Sequence, residues 1–228
     1  MPRQPIPLRI DIVSDVVCPW CIIGYKQLQL ALSRMDGVFE VEIYWQPFEL
    51  NPRMPVEGQE LREHLAEKYG TSPEQSQAAR ARLTALGDAL DFHFDYFDGM
   101  RIYNTFKAHQ LLHWAGEHSQ AQAQQTGLKL ALFDAFFRRR ENVGDTAFLP
   151  VIAARAGLPE AEARQVLADQ RYAEAVRRDQ AMWLERDVHA VPMFYFNNGY
   201  PVPGAQEADT FVRVLSRLQE RTNPGVAL

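Results

Sequence analysis

With 228 residues, 46% of them hydrophobic, the chain has the size and apolar content of a globular protein of one large domain or two intergrown ones. A net charge of -5 and an isoelectric point near 5.7 argue against a nucleic-acid backbone as the main partner, and the short run Arg138-Arg139-Arg140 stops at Glu141, as a solvated helix end does. No stretch approaches the roughly 20 consecutive apolar residues that cross a bilayer, so no membrane partner is expected either.

The opening MPRQPIPLRIDIVSD has two arginines and three prolines but not the roughly 7–15-residue apolar core of a secretory signal, which points to the cytoplasm. Leu8, Ile10 and Ile12 alternate with Arg9 and Asp11, the period of a strand, and Asp15 reads as a turn residue at its end, ahead of two other readings, a proton acceptor for the thiols that follow or a like charge that raises their pKa. The two cysteines of the chain follow in Cys18-Pro19-Trp20-Cys21. There the period changes: Cys21, Tyr25, Leu28, Leu32 and Met35 fall at steps of four and three, an amphipathic helix with Pro19 in its first turn. Phe39, Val41, Ile43 and Trp45 then alternate with Glu40, Glu42 and Tyr44. Strand, helix and strand at this spacing predict a right-handed unit with parallel strands.

About 130 residues with helical punctuation and no convincing strand come next. Ser72-Pro73-Glu74-Gln75 has the form of a capping box, Asn104 stands where it can cap the helix of Phe106 to Ala115, LKLALFDAFF at 128–137 reads as a buried helix, and Asp145-Thr146 can open another. Phe92, Phe94, Tyr96 and Phe97 read as core or as an apolar substrate wall. The tail predicts a hairpin, Met193 to Phe196 and Tyr200 to Pro203 around Asn197-Asn198-Gly199, with Pro201 and Pro203 placing the second arm at the sheet edge. A last helix carries Phe211, Val214, Leu215 and Leu218 and stops at Asn223-Pro224-Gly225.

Zinc needs about four ligands, and the histidines at 64, 93, 109, 113, 118 and 189 supply no second close pair apart from His109 and His113. A structural disulfide closing so small a loop adds little stability. A redox dithiol fits the flanks. Cys18 sits where the strand hands over to the helix, near unpaired N–H groups that favour a thiolate and are expected to lower its pKa, while Cys21 lies one turn further in. That asymmetry makes Cys18 the attacking sulfur and Cys21 the resolving one, through a mixed disulfide on Cys18.

The stretches CPWCIIGYKQLQLAL at 18–32, WQPFELNPRMPVEG at 45–58, RIYNTFKAHQLLHWA at 101–115 and VPMFYFNNGYPVPGAQ at 191–206 resemble the DsbA family of the thioredoxin superfamily, in its FrnE-like branch. The resemblance implies an α/β protein: a thioredoxin fold at 6–52 and 188–224, interrupted by a large all-helical insertion at 53–187. It implies a thiol–disulfide oxidoreductase acting on protein or peptide thiols and disulfides. No metal or organic cofactor is implied, and glutathione or another thiol protein would recycle the couple. Pro192 is implied to be cis and to face the dithiol, with the backbone of Val191 docking an extended substrate. The family's glycine-containing approach to this pair is here DVHAVP, with Asp187 and Ala190 in the glycine places.

Pro19 and Trp20 should tune the reduction potential. Where DsbA has a histidine, Trp20 offers no cation to hold a thiolate, so a less oxidising couple is expected; its ring either covers the thiols with apolar surface or stands as a partly exposed aromatic. Asn51, Asn104 and His109 lie in family motifs and are candidate residues of the cleft between the domains, beside ordinary packing or capping roles. Glu49 shares such a position with no role read from it. Gln206, at the opening of the last helix, is a candidate substrate or thiol contact. Two other readings stay open: a glutathione-dependent transferase or isomerase of the kappa or hydroxychromene-carboxylate type, in which serine typically stands at the place of Cys18, and a peptide-holding module with dispensable cysteines.

Overall fold

The computed structural model describes residues 4–117 and 121–222. Its main sheet has four strands in the order β2-β1-β5-β6, formed by β1 (Ile6–Ser14), β2 (Phe39–Pro47), β5 (Met193–Phe196) and β6 (Tyr200–Pro203). β1 runs parallel to β2, with Ile12 opposite Trp45, and antiparallel to β5, with Ile12 opposite Phe194. The parallel pair is joined through helix α1 (Pro19–Ser33), as the spacing predicts. The turn from β5 to β6 has Asn197 and Asn198 at φ 49° and 60°, closed by the Gly199 N–H donating to the Phe196 carbonyl, the primed geometry that suits a twisted hairpin. β6 is the sheet edge, where the missing N–H groups of Pro201 and Pro203 do no harm.

Helices cover both faces of the sheet. On one, α1 packs beside α9 (Ala208–Thr222), whose Phe211 ring meets Phe194 at 4.9 Å; the proposed stop at 223–225 lies outside the described residues. On the other, Trp183 of α8 (Ala173–Glu185) stacks on Tyr195 at 5.0 Å and donates its indole N–H to Gln46. Asp11 is therefore buried rather than solvated, and it is held by two 2.7 Å bonds from the Arg9 guanidinium and one from Gln46. A carboxylate taken out of water needs such partners.

Between β2 and β5 lie α2 (Leu61–Tyr69), α3 (Pro73–Asp88), α4 (Phe106–Ala115), α5 (Ala121–Phe137), α6 (Leu149–Arg155), α7 (Glu160–Asp169) and α8. The capping box at Ser72 and Gln75 forms as read. The insertion is helical apart from a two-residue pair, β3 (Gln59–Glu60) with β4 (Arg101–Ile102), too short to leave a period in the sequence; Arg101 ties it down by donating to the carbonyls of Glu57 and Gly58. Asp145 opens a turn before α6 rather than the helix itself: its carboxylate accepts from Ala147, and helical geometry starts at Leu149. Asn104 accepts from the Phe106 N–H, although Thr105 is the residue flanking the helix. Phe92 and Phe94 of the aromatic cluster pack on Phe137, and Tyr96 stacks on Phe94 at 5.7 Å while also lining a cavity.

α5 seals the outer edge of β2. The buried Gln125 amide accepts from the Trp45 N–H at 2.8 Å and donates to the Trp45 carbonyl at 3.2 Å, so one side chain stands in for a neighbouring strand. At the end of α8, Val188 donates to the Trp183 carbonyl and both side chains are buried together, a Schellman stop with Asp187 in left-handed geometry at φ 61°. This is a position where the resemblance leads one to expect glycine. Asp187→Gly is expected to raise the unfolding free energy by a few tenths to about 1 kcal/mol, relief of backbone strain being offset in part by the freer unfolded chain. A urea titration reads it; a loss of stability would show that the Asp187 side chain contributes more than its strained backbone costs.

Candidate active site

The last residues of β1 and the first turn of α1 bring the two cysteines together as free thiols. Cys18 is the residue preceding the helix, with extended φ -90° and ψ 112°, Pro19 follows in the first turn, and the Cys21 N–H donates to the Cys18 carbonyl. Cys18 is 3% exposed and Cys21 0%. The Cys18 thiol points at the carbonyl oxygen of Val191, 3.7 Å away, and the Val191–Pro192 peptide bond is cis.

Cys18, not Cys21, lines a cavity of about 550 Å³. Its walls are mostly apolar, from Leu61, Leu65, Leu83, Met100 and Phe136 of the insertion, with Tyr96, His64 and Arg80 among them. Pro19, Trp20, Asn51 and Val191 complete the side nearest the thiol. Trp20 is 38% exposed, at the cavity rim. Ala190, in a family glycine place, is exposed and also faces the cavity.

The remaining candidates lie elsewhere. Gln206 precedes the first turn of α9 and folds back to donate to the Pro203 carbonyl at 2.7 Å, away from the thiol cavity. Asn104 bonds Glu49 and the Pro52 carbonyl and does not line the cavity, because its side chain is engaged at the start of α4. His109 is buried against Asp15, its Nε2 3.4 Å from Asp15 Oδ1, on the wall of a second cavity. Asp15 stands in the turn at the end of β1, its carbonyl accepting from the Cys18 N–H, and it is fully buried there; its other carboxylate oxygen accepts from the Leu50 N–H at 2.7 Å.

Two polar side chains under the thiols went unnoticed in the sequence. Lys129 of α5 is 0% exposed; its ammonium donates to the Ser14 carbonyl at 3.3 Å and stands 5.2 Å from the Trp45 ring centre and 5.1 Å from that of Phe133. Burial pulls its pKa down to about 8 against the opposing pull of Cys21, Asp15 and Cys18. The Ser14 hydroxyl faces Cys21. The signal for Lys129 was a lysine in the second place of LKLALFDAFF, a helix otherwise apolar up to Asp134.

These neighbours correct the expectation for Cys18. Its hydrogen bond to the Cys21 sulfur, then burial, push the Cys18 thiol well up. Burial disfavours a charge on Cys21 too, but the Cys18 thiol, the Lys129 cation, the Ser14 hydroxyl and the Asp15 backbone N–H outweigh it, and its pKa falls. In the reduced pair the Cys18 S–H donates towards the inner Cys21 sulfur. Elsewhere, burial raises Glu49, and burial raises Asp15 less than His109, Leu50 and Lys129 lower it. Among the described residues no three His, Cys, Asp or Glu side chains are grouped to hold a metal ion.

A dithiol at the mouth of a helix, on a βαβ-plus-hairpin sheet split by helices, defines a thioredoxin-fold protein of the thiol-exchange type. The chain belongs to the DSBA-like thioredoxin domain family, whose sequence model matches residues 9–216. A probable DsbA oxidoreductase from Streptomyces coelicolor is 32% identical and superposes with a TM-score of 0.86 over 97% of this chain and 93% of that one. Two others share the fold alone: a 2-hydroxychromene-2-carboxylate isomerase (13% identical, TM-score 0.69, 96% of this chain and 100% of that one), and the cytosolic disulfide reductase DsbM from Pseudomonas aeruginosa, solved with glutathione (14%, TM-score 0.61, 92% and 98%). No described helix is long and apolar enough to cross a membrane.

Proposed function

We propose that the protein is a thiol–disulfide oxidoreductase of the FrnE-like branch, with Cys18 as nucleophile, Cys21 as resolving thiol and Val191-Pro192 as the substrate platform. The observation that carries this is the division of labour between the sulfurs: Cys18 alone opens on the 550 Å³ cavity, beside the Val191 carbonyl, while Cys21 is sealed beneath. A disulfide seated there draws the Cys18 proton fully onto Cys21 and frees Cys18 as thiolate. Cys18 attacks one substrate sulfur and expels the other as a thiolate. Cys21 then loses its proton, attacks Cys18, and releases the second substrate thiolate, leaving a Cys18–Cys21 disulfide and a substrate reduced by two electrons; the same steps in reverse oxidise a dithiol.

Protein or peptide disulfides are the substrate class, and glutathione or a thiol protein recycles the couple in a reducing cytoplasm; the glutathione found with DsbM supports that choice. Equilibration in glutathione buffers with mass-spectrometric thiol counting tests the reading. A potential near roughly -270 mV makes the protein a reductase, and one near about -180 to -120 mV an oxidase or isomerase of disulfides. The isomerase fold relative and the apolar cavity keep a glutathione-dependent reaction on a small aromatic substrate as the rival. Failure of any Cys18–Cys21 disulfide to form across that range overturns the exchange reading in favour of the rival.

A further inference from the structure

Helix α3 turns one face to the thiol cavity: Ser76, Ala79, Arg80 and Leu83, at helical steps of three, one and three. Ala79 and Leu83 continue the apolar wall, and Ser76 and Arg80 interrupt it. Ser76 is 2% exposed, and its hydroxyl has no hydrogen-bond partner among the described residues. A buried hydroxyl left unpaired costs free energy that a ligand can return. Arg80 is half-buried, and its guanidinium makes a long bond, Nε to the Ser76 carbonyl at 3.4 Å. Among the described residues it has no ion-pair partner. Asp98 stands on a neighbouring cavity that Arg80 also lines, but it pairs with Arg62 at 3.3 Å.

Among the described residues no Asp or Glu lines the thiol cavity. Its ionisable side chains are Cys18, His64, Tyr69, Tyr96, His189 and Arg80, and the guanidinium alone carries a fixed charge. Burial pulls the His64 pKa down, so that ring stays uncharged at neutral pH. A cation and a hydroxyl one helical turn apart, both without an acceptor and set in apolar walls, are complementary to an anion on an apolar body. The volume of about 550 Å³ lies within the roughly 300–1,000 Å³ of sites that enclose a whole small molecule.

We propose that the thiol cavity takes a further substrate class beside peptide disulfides: small organic disulfides in which an apolar body carries a carboxylate. The body fills the cavity, and the carboxylate accepts from Arg80 and Ser76. This rests on the disulfide-exchange reading above. The Cys18 thiolate attacks one sulfur of the bound disulfide, the S–S bond breaks, and the other half leaves as a thiolate with the bonding pair. Cys21 gives up its proton and displaces the retained half from Cys18. The two cysteines end as a disulfide, and the substrate ends as two thiols that hold the two electrons and the two cysteine protons. Arg80 takes no part in these bond changes; it selects and holds the substrate.

The probes are bis(carboxynitrophenyl) disulfide, with a carboxylate on each half, and its neutral bis-amide. Stopped-flow absorbance of the released nitrothiophenolate gives the second-order constant of each with the reduced protein, and mercaptoethanol supplies their ratio of intrinsic reactivities. The parent is expected to favour the carboxylate probe about tenfold beyond that ratio. Arg80→Gln is expected to lose about tenfold with the carboxylate probe and to stay within about twofold with the amide. Arg53→Gln, which removes an exposed cation that does not line the thiol cavity, should leave both constants in place. A parent whose ratio equals that of mercaptoethanol overturns the proposal. So does an Arg80→Gln loss common to both probes, or one that Arg53→Gln matches, since that would be attraction by net charge alone. A parent that exchanges with oxidised glutathione but shows no carboxylate preference leaves the exchange reading standing without this one. A parent inert to both probes and to oxidised glutathione removes the exchange reading itself.

Discussion

Cys18→Ser is expected to abolish disulfide exchange, and Cys21→Ser to stop it halfway. The two outcomes differ because the cavity admits substrate to one sulfur only. Serine at 18 keeps a donor for the Val191 carbonyl and fills nearly the same space, so the melting temperature should move little, while no thiolate forms at the mouth. Serine at 21 removes the sulfur whose hydrogen bond holds the Cys18 thiol up, so Cys18 should still attack, and the mixed disulfide accumulates for want of a resolving thiol. Incubation with oxidised glutathione followed by mass spectrometry should find glutathione on Cys21→Ser, released by dithiothreitol, and none on Cys18→Ser. Exchange surviving in Cys18→Ser would sink the assignment. Peptide holding that survives in both variants without any exchange by the parent would instead favour a binding module.

Lys129→Met should give a more stable and less active protein. The Lys129 pKa is about 8 in the fold against 10.5 for the free side chain, and it is fully buried, so holding its charge below pH 8 costs on the order of 3 kcal/mol. The sign follows from proton counting. Between about 8 and 10.5 the unfolded chain binds more protons at this residue than the folded one, so this residue makes stability climb with pH in that window, and below it the penalty is complete. Methionine removes the charge at similar length. Guanidinium titrations at neutral pH should show the variant more stable by about 2–3 kcal/mol, an advantage that fades above pH 8. The thiols respond in the opposite direction: without its cation the Cys21 thiolate forms at higher pH, which ultraviolet absorbance reads. The reduced state loses support relative to the disulfide, and the potential moves to more negative values. A variant that is less stable at neutral pH would mean that the cation's attraction to Asp15 and the thiols exceeds its desolvation cost.

What the residues reveal in advance is whatever is local. The switch of period at Cys18, the proline in the first turn, the capping box at Ser72 and the two asparagines of the hairpin each declare themselves within a few positions, and they place the thiols at the head of α1. What stays hidden is pairing at a distance. Lys129 meets the Ser14 carbonyl across 115 positions and Asp15 meets His109 across 94, and nothing in either short stretch names its partner. Gln206 was misplaced for a related reason: a helix entry looks the same whether it faces a cavity or, as here, lets its side chain close on the preceding loop. The upward push on the Cys18 thiol is hidden likewise: a helix terminus is visible in sequence, while the hydrogen bond to Cys21 and the depth of burial are not.

The amide of Gln125 on Trp45 has a consequence for how this protein meets other chains. A peptide seeking backbone pairing finds one flank of the sheet already capped by a side chain, and the opposite flank interrupted by Pro201 and Pro203. Cross-strand growth between copies is hindered at Trp45 on one flank and at the two prolines on the other. The bend before β5 is the place left for an extended visitor on the proposed reading, with the Val191 carbonyl 3.7 Å from the sulfur that would attack the visitor's disulfide.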